Sequence, residues 1–322
     1  MNETGGDATA RPSRRPILVT GMPRSGTTWV ARLAATAPGT ALTGREPMNA
    51  RGRQYALAKT LPGWARVEQP SPRQRRALRS AYRGLNPSVY SRYGRRQWAA
   101  PFPWTRIVVK DPFAMLSIPA VVATTGARVV VVHRHPGAML ASYRRMGWSP
   151  DIDELQPILA AYREKSGDTS VAAARLPRLD EVSEAEAMGR FWMALYAMTL
   201  HDLDRLDARR GQAADEPRVL LVPHEELAGG GIEAGRHFFD ELGLRWSTAA
   251  DEEFAKETGG AAGGTVAPAR ESALHNFDRP PDAVATAWRA KLHDGELEEI
   301  ESVTMPLRER LAARSAQLRP RP

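Results

Sequence analysis

Residues Ile17 to Leu33, "ILVTGMPRSGTTWVARL", pass from an apolar run into a glycine-bounded turn and then into a helical pattern. Four residues separate Gly21 from Gly26, the spacing of a phosphate-binding loop. The lysine that a nucleotide triphosphatase carries after the second glycine is replaced by Thr27. A strand that feeds such a turn and then a helix aims backbone N–H groups and the positive helix end at an anion. Gly21 and Gly26 permit the turn, Ser25, Thr27 and Thr28 add hydroxyl donors, and Arg24 adds a charge. With no lysine after Gly26 and no evident acidic magnesium site, the stretch reads as a loop for a phosphate that is held rather than transferred. An ordinary strand–turn–helix corner is the plain alternative at this point.

Four more apolar runs join Ile17–Gly21 as expected strands: Ala41–Thr43, Arg106–Lys110 ("RIVVK"), Arg128–His133 ("RVVVVH") and Arg218–Val222 ("RVLLV"). The last three are almost continuously apolar, as parallel strands covered on both faces must be. Helical patterns lie at Thr27–Thr36, Ala138–Met146 and Glu184–Ala208, the last preceded by Ser183 with Glu186 at capping-box spacing. This alternation predicts an α/β fold: a doubly wound, mainly parallel five-stranded sheet flanked by helices. Such sheets bind ligands at the carboxyl ends of their strands. The expected organisation is a disordered tail over 1–16, one domain over 17–318 and a short tail over 319–322. Within the domain, 51–105 reads as a basic helical insertion on the acceptor side, and 258–272 as a Gly-rich linker or closing loop.

Composition narrows the function classes. The 322 residues are 42% apolar, enough for a substantial core, and contain no cysteine, which excludes disulfides, thiolate metal sites and a cysteine nucleophile. No apolar run approaches the roughly 18 residues of a membrane span, and the first stretch lacks the apolar region of a signal peptide. A soluble cytoplasmic protein is the expectation. The net charge is +8, and only five basic residues are lysines (59, 110, 165, 256 and 291). A lone surface arginine therefore says little, and a lysine says more. Arg51 to Arg106 holds thirteen basic residues against Glu68, so this segment is +12 and the remainder about −4. Such a segment favours anionic ligands, with a solvated basic face as the bland alternative.

A second motif follows the fourth strand, in "VVVVHRHPGAMLASYRRM". Arg134 lies just past the strand end, Pro136 suits the first turn of a helix, and Ser142 lies eight residues after Arg134. An arginine at a strand end and a serine on the next helix can meet at one phosphate. In an Arg-rich chain this pair alone means little.

Together the two motifs resemble those of the sulfotransferases that use 3′-phosphoadenosine 5′-phosphosulfate (PAPS), and the bacterial members in particular. "PRSGTTW" (Pro23–Trp29) is similar to the family's 5′-phosphosulfate loop, and "RHPGAMLASY" (Arg134–Tyr143) to its 3′-phosphate motif. "VPHEELAGGGIEAGRHFFDELGLRW" resembles a later family segment, with His224 where tyrosine is common. The resemblance runs from about Ile17 to Leu244. It implies transfer of a sulfuryl group from PAPS, without a metal, to a hydroxyl or amine of a small-molecule, sugar or lipid acceptor, leaving PAP.

The resemblance also implies roles. Arg24 occupies the family's catalytic Lys/Arg position and would stabilise the leaving oxygen, with Lys110, in a "VK" pair, beside it. The histidine that animal cytosolic members carry two residues after that lysine is Pro112 here, so the general base passes to Glu46, in "TGREPMN", with His133 and His135 as runners-up. Asp111 reads as orienting Lys110 or Arg134. Arg24, Ser25, Gly26, Thr27, Thr28 and Trp29 would bind the 5′ end of the donor, Trp29 alternatively packing the loop helix, and His224 would belong to the same site. Arg134 and Ser142 would hold the 3′-phosphate. The signature "RKG" of the family's basic C-terminal loop is absent, and Arg270 and Ser272, beyond the Gly-rich stretch, are weak substitutes. A P-loop kinase or triphosphatase is the rival reading, opposed by Thr27. A polyanion-binding module on the basic segment, without any common nucleic-acid recognition motif, is the third.

Overall fold

The Val-rich runs are strands of one five-stranded parallel sheet, in the order β2-β3-β1-β4-β5. The computed structural model describes residues 14–43, 46–51, 57, 59–84, 104–167, 171, 174–210, 219–258 and 286–315. In chain order the elements are β1 (Ile17–Thr20), α1 (Thr27–Ala35), β2 (Thr40–Thr43), α2 (Pro72–Tyr82), β3 (Arg106–Lys110), α3 (Ile118–Thr125), β4 (Arg128–His133), α4 (Pro136–Met146) and α5 (Ile152–Ser166). There follow α6 (Glu184–Arg210), β5 (Val219–Pro223), α7 (His224–Gly229), α8 (Gly231–Leu242), α9 (Thr248–Thr258) and α10 (Glu296–Arg314). A 3-10 turn over Pro112–Ser117 joins β3 to α3.

Strand alternation sorts the core into two layers. Ile17, Val19, Val130 and Val132 face α1, α8 and α9, where Trp29, Leu33, Phe238, Phe239 and Phe254 pack. Leu18, Val129 and Val131 face the other layer, where Phe191, Trp192, Leu195 and Tyr196 of α6 meet α3, α4, α5 and α10. Burial on both faces is why these strands carry valine at successive positions rather than alternating with polar residues.

Register fixes the position of the site. β1 lies centrally, with Val19 opposite Lys110 of β3 and Thr20 opposite Val131 of β4. The chain goes to one side of β1 for β2 and β3 and to the other for β4 and β5, so the switch in direction falls at β1. That is where a doubly wound sheet opens a crevice at its carboxyl edge.

The segment after β2 is tied down by charge. Arg51 pairs with Asp151 at 2.7 Å and Glu154 at 2.8 Å, and Trp64 donates to the same two carboxylates. Arg66 forks onto the buried Asp202 of α6 at 2.7 and 2.8 Å and lies over the Tyr162 ring. Part of the positive charge of this segment is therefore structural. Among the described residues no helix is long and apolar enough to cross a membrane, and no group of His, Asp and Glu is placed to hold a metal ion.

Candidate active site

The loop after β1 is shaped by three residues with positive φ. Gly21 has φ +144°, and a Cβ there would lie 2.1 Å from the Val132 carbonyl oxygen, so only glycine lets the loop cross the end of β4. Gly26 has φ +97°, and its Cβ would lie 2.1 Å from the His224 ring. As the N-cap of α1, Gly26 has no side chain to cap the first-turn N–H groups, which suits a loop built to meet an external anion. Arg24 adopts φ +78°, a strained conformation for a side chain-bearing residue and one found most often where function demands it.

That conformation sends Arg24 toward the second motif. Its Nε donates to Ser142 Oγ at 3.1 Å, joining loop and α4 directly. Burial lowers the Arg24 pKa first, and the like charges of Arg145 and Arg134 lower it further. The positive charges of Arg134 and Arg145 thus act on Arg24, and an anion there would relieve their mutual repulsion. Arg134 has Glu225 at 4.0 Å, too loose for a strong hydrogen bond. Burial pushes the Glu225 carboxyl up, against the pull of Arg134. The Glu225 carboxylate also accepts from His135 N at 2.9 Å, which fixes the backbone after Arg134.

The other loop residues divide between lining and support. Ser25 and Thr27 are buried, and Thr28 is half-buried. Trp29 is 5% exposed and packs edge-on against His224 and against Phe254, so it supports α1 from behind. The buried His224 ring backs Gly26, and burial depresses its pKa so that it is neutral. Arg270 and Ser272 lie outside the described residues.

Beside the loop, at the end of β3, Lys110 Nζ donates to Glu46. Asn49 Nδ2 donates to the other Glu46 oxygen, across a turn closed by Asn49 N and Glu46 O at 3.2 Å. The fully buried Asp111 accepts from Met48 N at 2.5 Å and Phe113 N at 3.2 Å. Its hydrogen bonds therefore fix the turn carrying Glu46 rather than Lys110 or Arg134. Burial, then the nearby Glu46, pushes the Asp111 carboxyl up to about 8. The two histidines are engaged elsewhere. His133 Nε2 meets Ser315 Oγ at 2.8 Å, and His135 Nδ1 accepts from Gly137 N while its ring stacks on Trp288 at 4.3 Å. Burial lowers them to about 4 and about 3.

Of the residues singled out in the sequence, the structure brings together Arg24, Ser142 and Arg134 on one side and Glu46 and Lys110 on the other. It missed Arg145, Asn49, Trp192 and Tyr196. Arg145 had a local signal, standing three residues after Ser142 on the same helix face.

Residues 16–178 match the family model described as the sulfotransferase family. In structure the chain is similar to the sulfotransferase domain of a Synechococcus PCC 7002 olefin synthase, at 16% identity and TM-score 0.43, covering 89% of this chain and 93% of that one. It is also similar to a mouse sulfotransferase solved in complex with PAP, at 13% identity and TM-score 0.42, covering 94% and 90%. A sulfotransferase from Alicyclobacillus acidocaldarius gives 12% identity and TM-score 0.37, covering 91% and 96%. No curated protein sequence matches. The family match spans just over half of the 322 residues and includes both Pro23–Trp29 and Arg134–Tyr143: the chain belongs to the sulfotransferase family.

Proposed function

We propose that the protein moves a sulfuryl group from PAPS to a hydroxyl or amine of a small-molecule, sugar or lipid acceptor. The observation that carries this reading is the 3.1 Å contact between Arg24 Nε and Ser142 Oγ, with the charges of Arg134 and Arg145 acting on the same Arg24. Two phosphate-type motifs far apart in sequence meet there, and a ligand with two phosphates uses both. The loop fits such a group: Gly21 and Gly26 let its backbone lie tightly against the Val132 carbonyl and the His224 ring, and the N-cap of α1 carries no side-chain cap.

When bound, PAPS supplies a sulfuryl group whose departure leaves an electron pair on the 5′-phosphate oxygen. Arg24 and the amides of Gly26 to Thr28 would stabilise that growing charge, and Lys110 would approach it from β3. Arg134 and Ser142 would hold the 3′-phosphate. Glu46 would take the proton of the acceptor as its oxygen or nitrogen bonds to sulfur. Lys110 and Asn49 orient that carboxylate while leaving lone pairs free for an acceptor. We place all of these roles in one catalytic domain over 17–318. The described part of 51–105 would lie on the acceptor side, and residues 259–272, Arg270 included, lie outside the described residues.

Calorimetric titration with PAP, ATP and duplex DNA, each with and without EDTA, tests the reading. Binding of PAP alone, unchanged by EDTA, is expected. Preference for ATP with a strict Mg²⁺ requirement would restore the kinase reading, and DNA binding without PAP binding the polyanion reading. Mass spectrometry of cell extract treated with protein and PAPS would then identify the acceptor as the species that gains SO₃.

A further inference from the structure

One helix from the opposite core layer holds both phosphate motifs by their backbones. The Tyr196 hydroxyl, on α6, accepts from Met22 N at 3.3 Å and donates to Val132 O at 2.8 Å. Met22 belongs to the loop after β1, and Val132 lies two residues before Arg134. One turn earlier on the same helix, Trp192 Nε1 donates to Arg134 O at 3.0 Å. The two rings pack at 4.8 Å, and both residues are almost wholly buried. Val132 O is also the atom that a Cβ on Gly21 would strike. The Tyr196 hydroxyl therefore sits where the loop crosses the end of β4.

From this geometry we infer that Tyr196, assisted by Trp192, is a positioning residue that sets the separation between the 5′- and 3′-phosphate sites. The inference rests on the proposed function and goes beyond it. A phenylalanine at 196 fills the same space, so the hydroxyl is not needed for packing. Its two hydrogen bonds join groups more than a hundred residues apart in sequence, one from each motif. No other described side chain hydrogen-bonds to both segments' backbones. A ligand that spans both sites depends on their spacing, whereas a ligand that fills one does not.

The test compares three nucleotides on wild type and Tyr196→Phe: PAP, adenosine 5′-phosphate and adenosine 3′-phosphate. The expected result is a loss of about tenfold in PAP affinity, the scale of one buried hydrogen bond, with each monophosphate changed by less than about threefold. Trp192→Phe should give a weaker loss of the same pattern and keeps the inference testable if Tyr196→Phe does not fold. Thermal midpoints are measured alongside, because a merely structural hydroxyl would lower the midpoint while changing all three affinities alike or not at all. Either of those affinity patterns overturns the inference while PAP binding by wild type still supports the function. Failure of wild type to bind any of the three nucleotides would remove the function itself.

Discussion

The two halves of the sheet's carboxyl edge are held in different ways. Around β1 and β4 the chain is fixed by backbone: glycine at the crossing, a helix start, and α6 side chains hydrogen-bonded to Met22, Val132 and Arg134. Around β2 and β3 it is fixed by charge: Lys110 on Glu46, Asp111 on the following turn, Arg51 and Arg66 on carboxylates of α5 and α6. Backbone amides cannot titrate and cost no reorganisation, which suits the proposed holding of phosphate in one place. Side-chain carboxylates and ammonium groups can exchange protons and partners, which suits a site where an acceptor must lose one.

The comparison is broken most sharply at Glu46. Glu46→Gln keeps size and packing and removes the proposed base, so turnover should fall about 10²–10⁴-fold while PAP affinity stays within a few-fold. Steady-state rates with an identified acceptor and a PAP titration provide the check. Near-normal turnover would transfer the search to His133 and His135. In the other half, Arg134→Ala should cost PAP about 2–3 kcal/mol of affinity and adenosine 5′-phosphate much less, because a charge-assisted contact to the 3′-phosphate is lost. Equal losses in calorimetry would show that Arg134 only supports Glu225.

Gly26→Ala tests the backbone argument itself. It combines a left-handed φ with a clash against the His224 ring, and should destabilise the fold by about 1–3 kcal/mol and weaken both nucleotides together. Denaturant unfolding and the same titrations report both effects. A variant of wild-type stability and affinity would mean that the loop can relax away from His224.

The smallest expected effect is in pH, and its direction differs between the halves. His133 and His135 are lowered from 6.5 to about 4 and about 3 by burial, so their contribution is complete above pH 6.5 and lost as pH falls toward 4. Asp111 is raised from 3.8 to about 8, so its contribution is complete below 3.8 and lost as pH rises toward 8. Melting curves across this range should show His133→Asn flattening the acid limb and Asp111→Asn the neutral limb. A limb left unchanged by its variant would remove that residue from the argument.

The same contrast explains how much was legible in the sequence. Gly21, Gly26 and the threonines were readable because a strand, a turn and a helix start are local and only a few residue types allow them. The five strands were readable because burial on both faces forces continuous apolar runs. Helix α5 left no clear signal, because Pro157 lies inside it and proline reads as a break. Arg51 and Arg66 read as free charge for an anion, and their pairing with Asp151, Glu154 and Asp202 depends on residues 100 to 136 positions away.

By itself the sequence determined the sheet, the glycine loop and the pair of motifs that mark the family, since each is a local pattern set by chain geometry or by burial. Only the tertiary structure decided that Arg24 meets Ser142, that Glu46 meets Lys110, and that Tyr196 ties the loop to β4. Each of these contacts joins segments distant in the chain, and their partners are chosen by sheet order and register rather than by neighbouring residues. In the sequence Tyr196 is one more aromatic on the apolar stripe of a helix, and its hydroxyl acquires a role only when that stripe is laid where the loop after β1 crosses the end of β4.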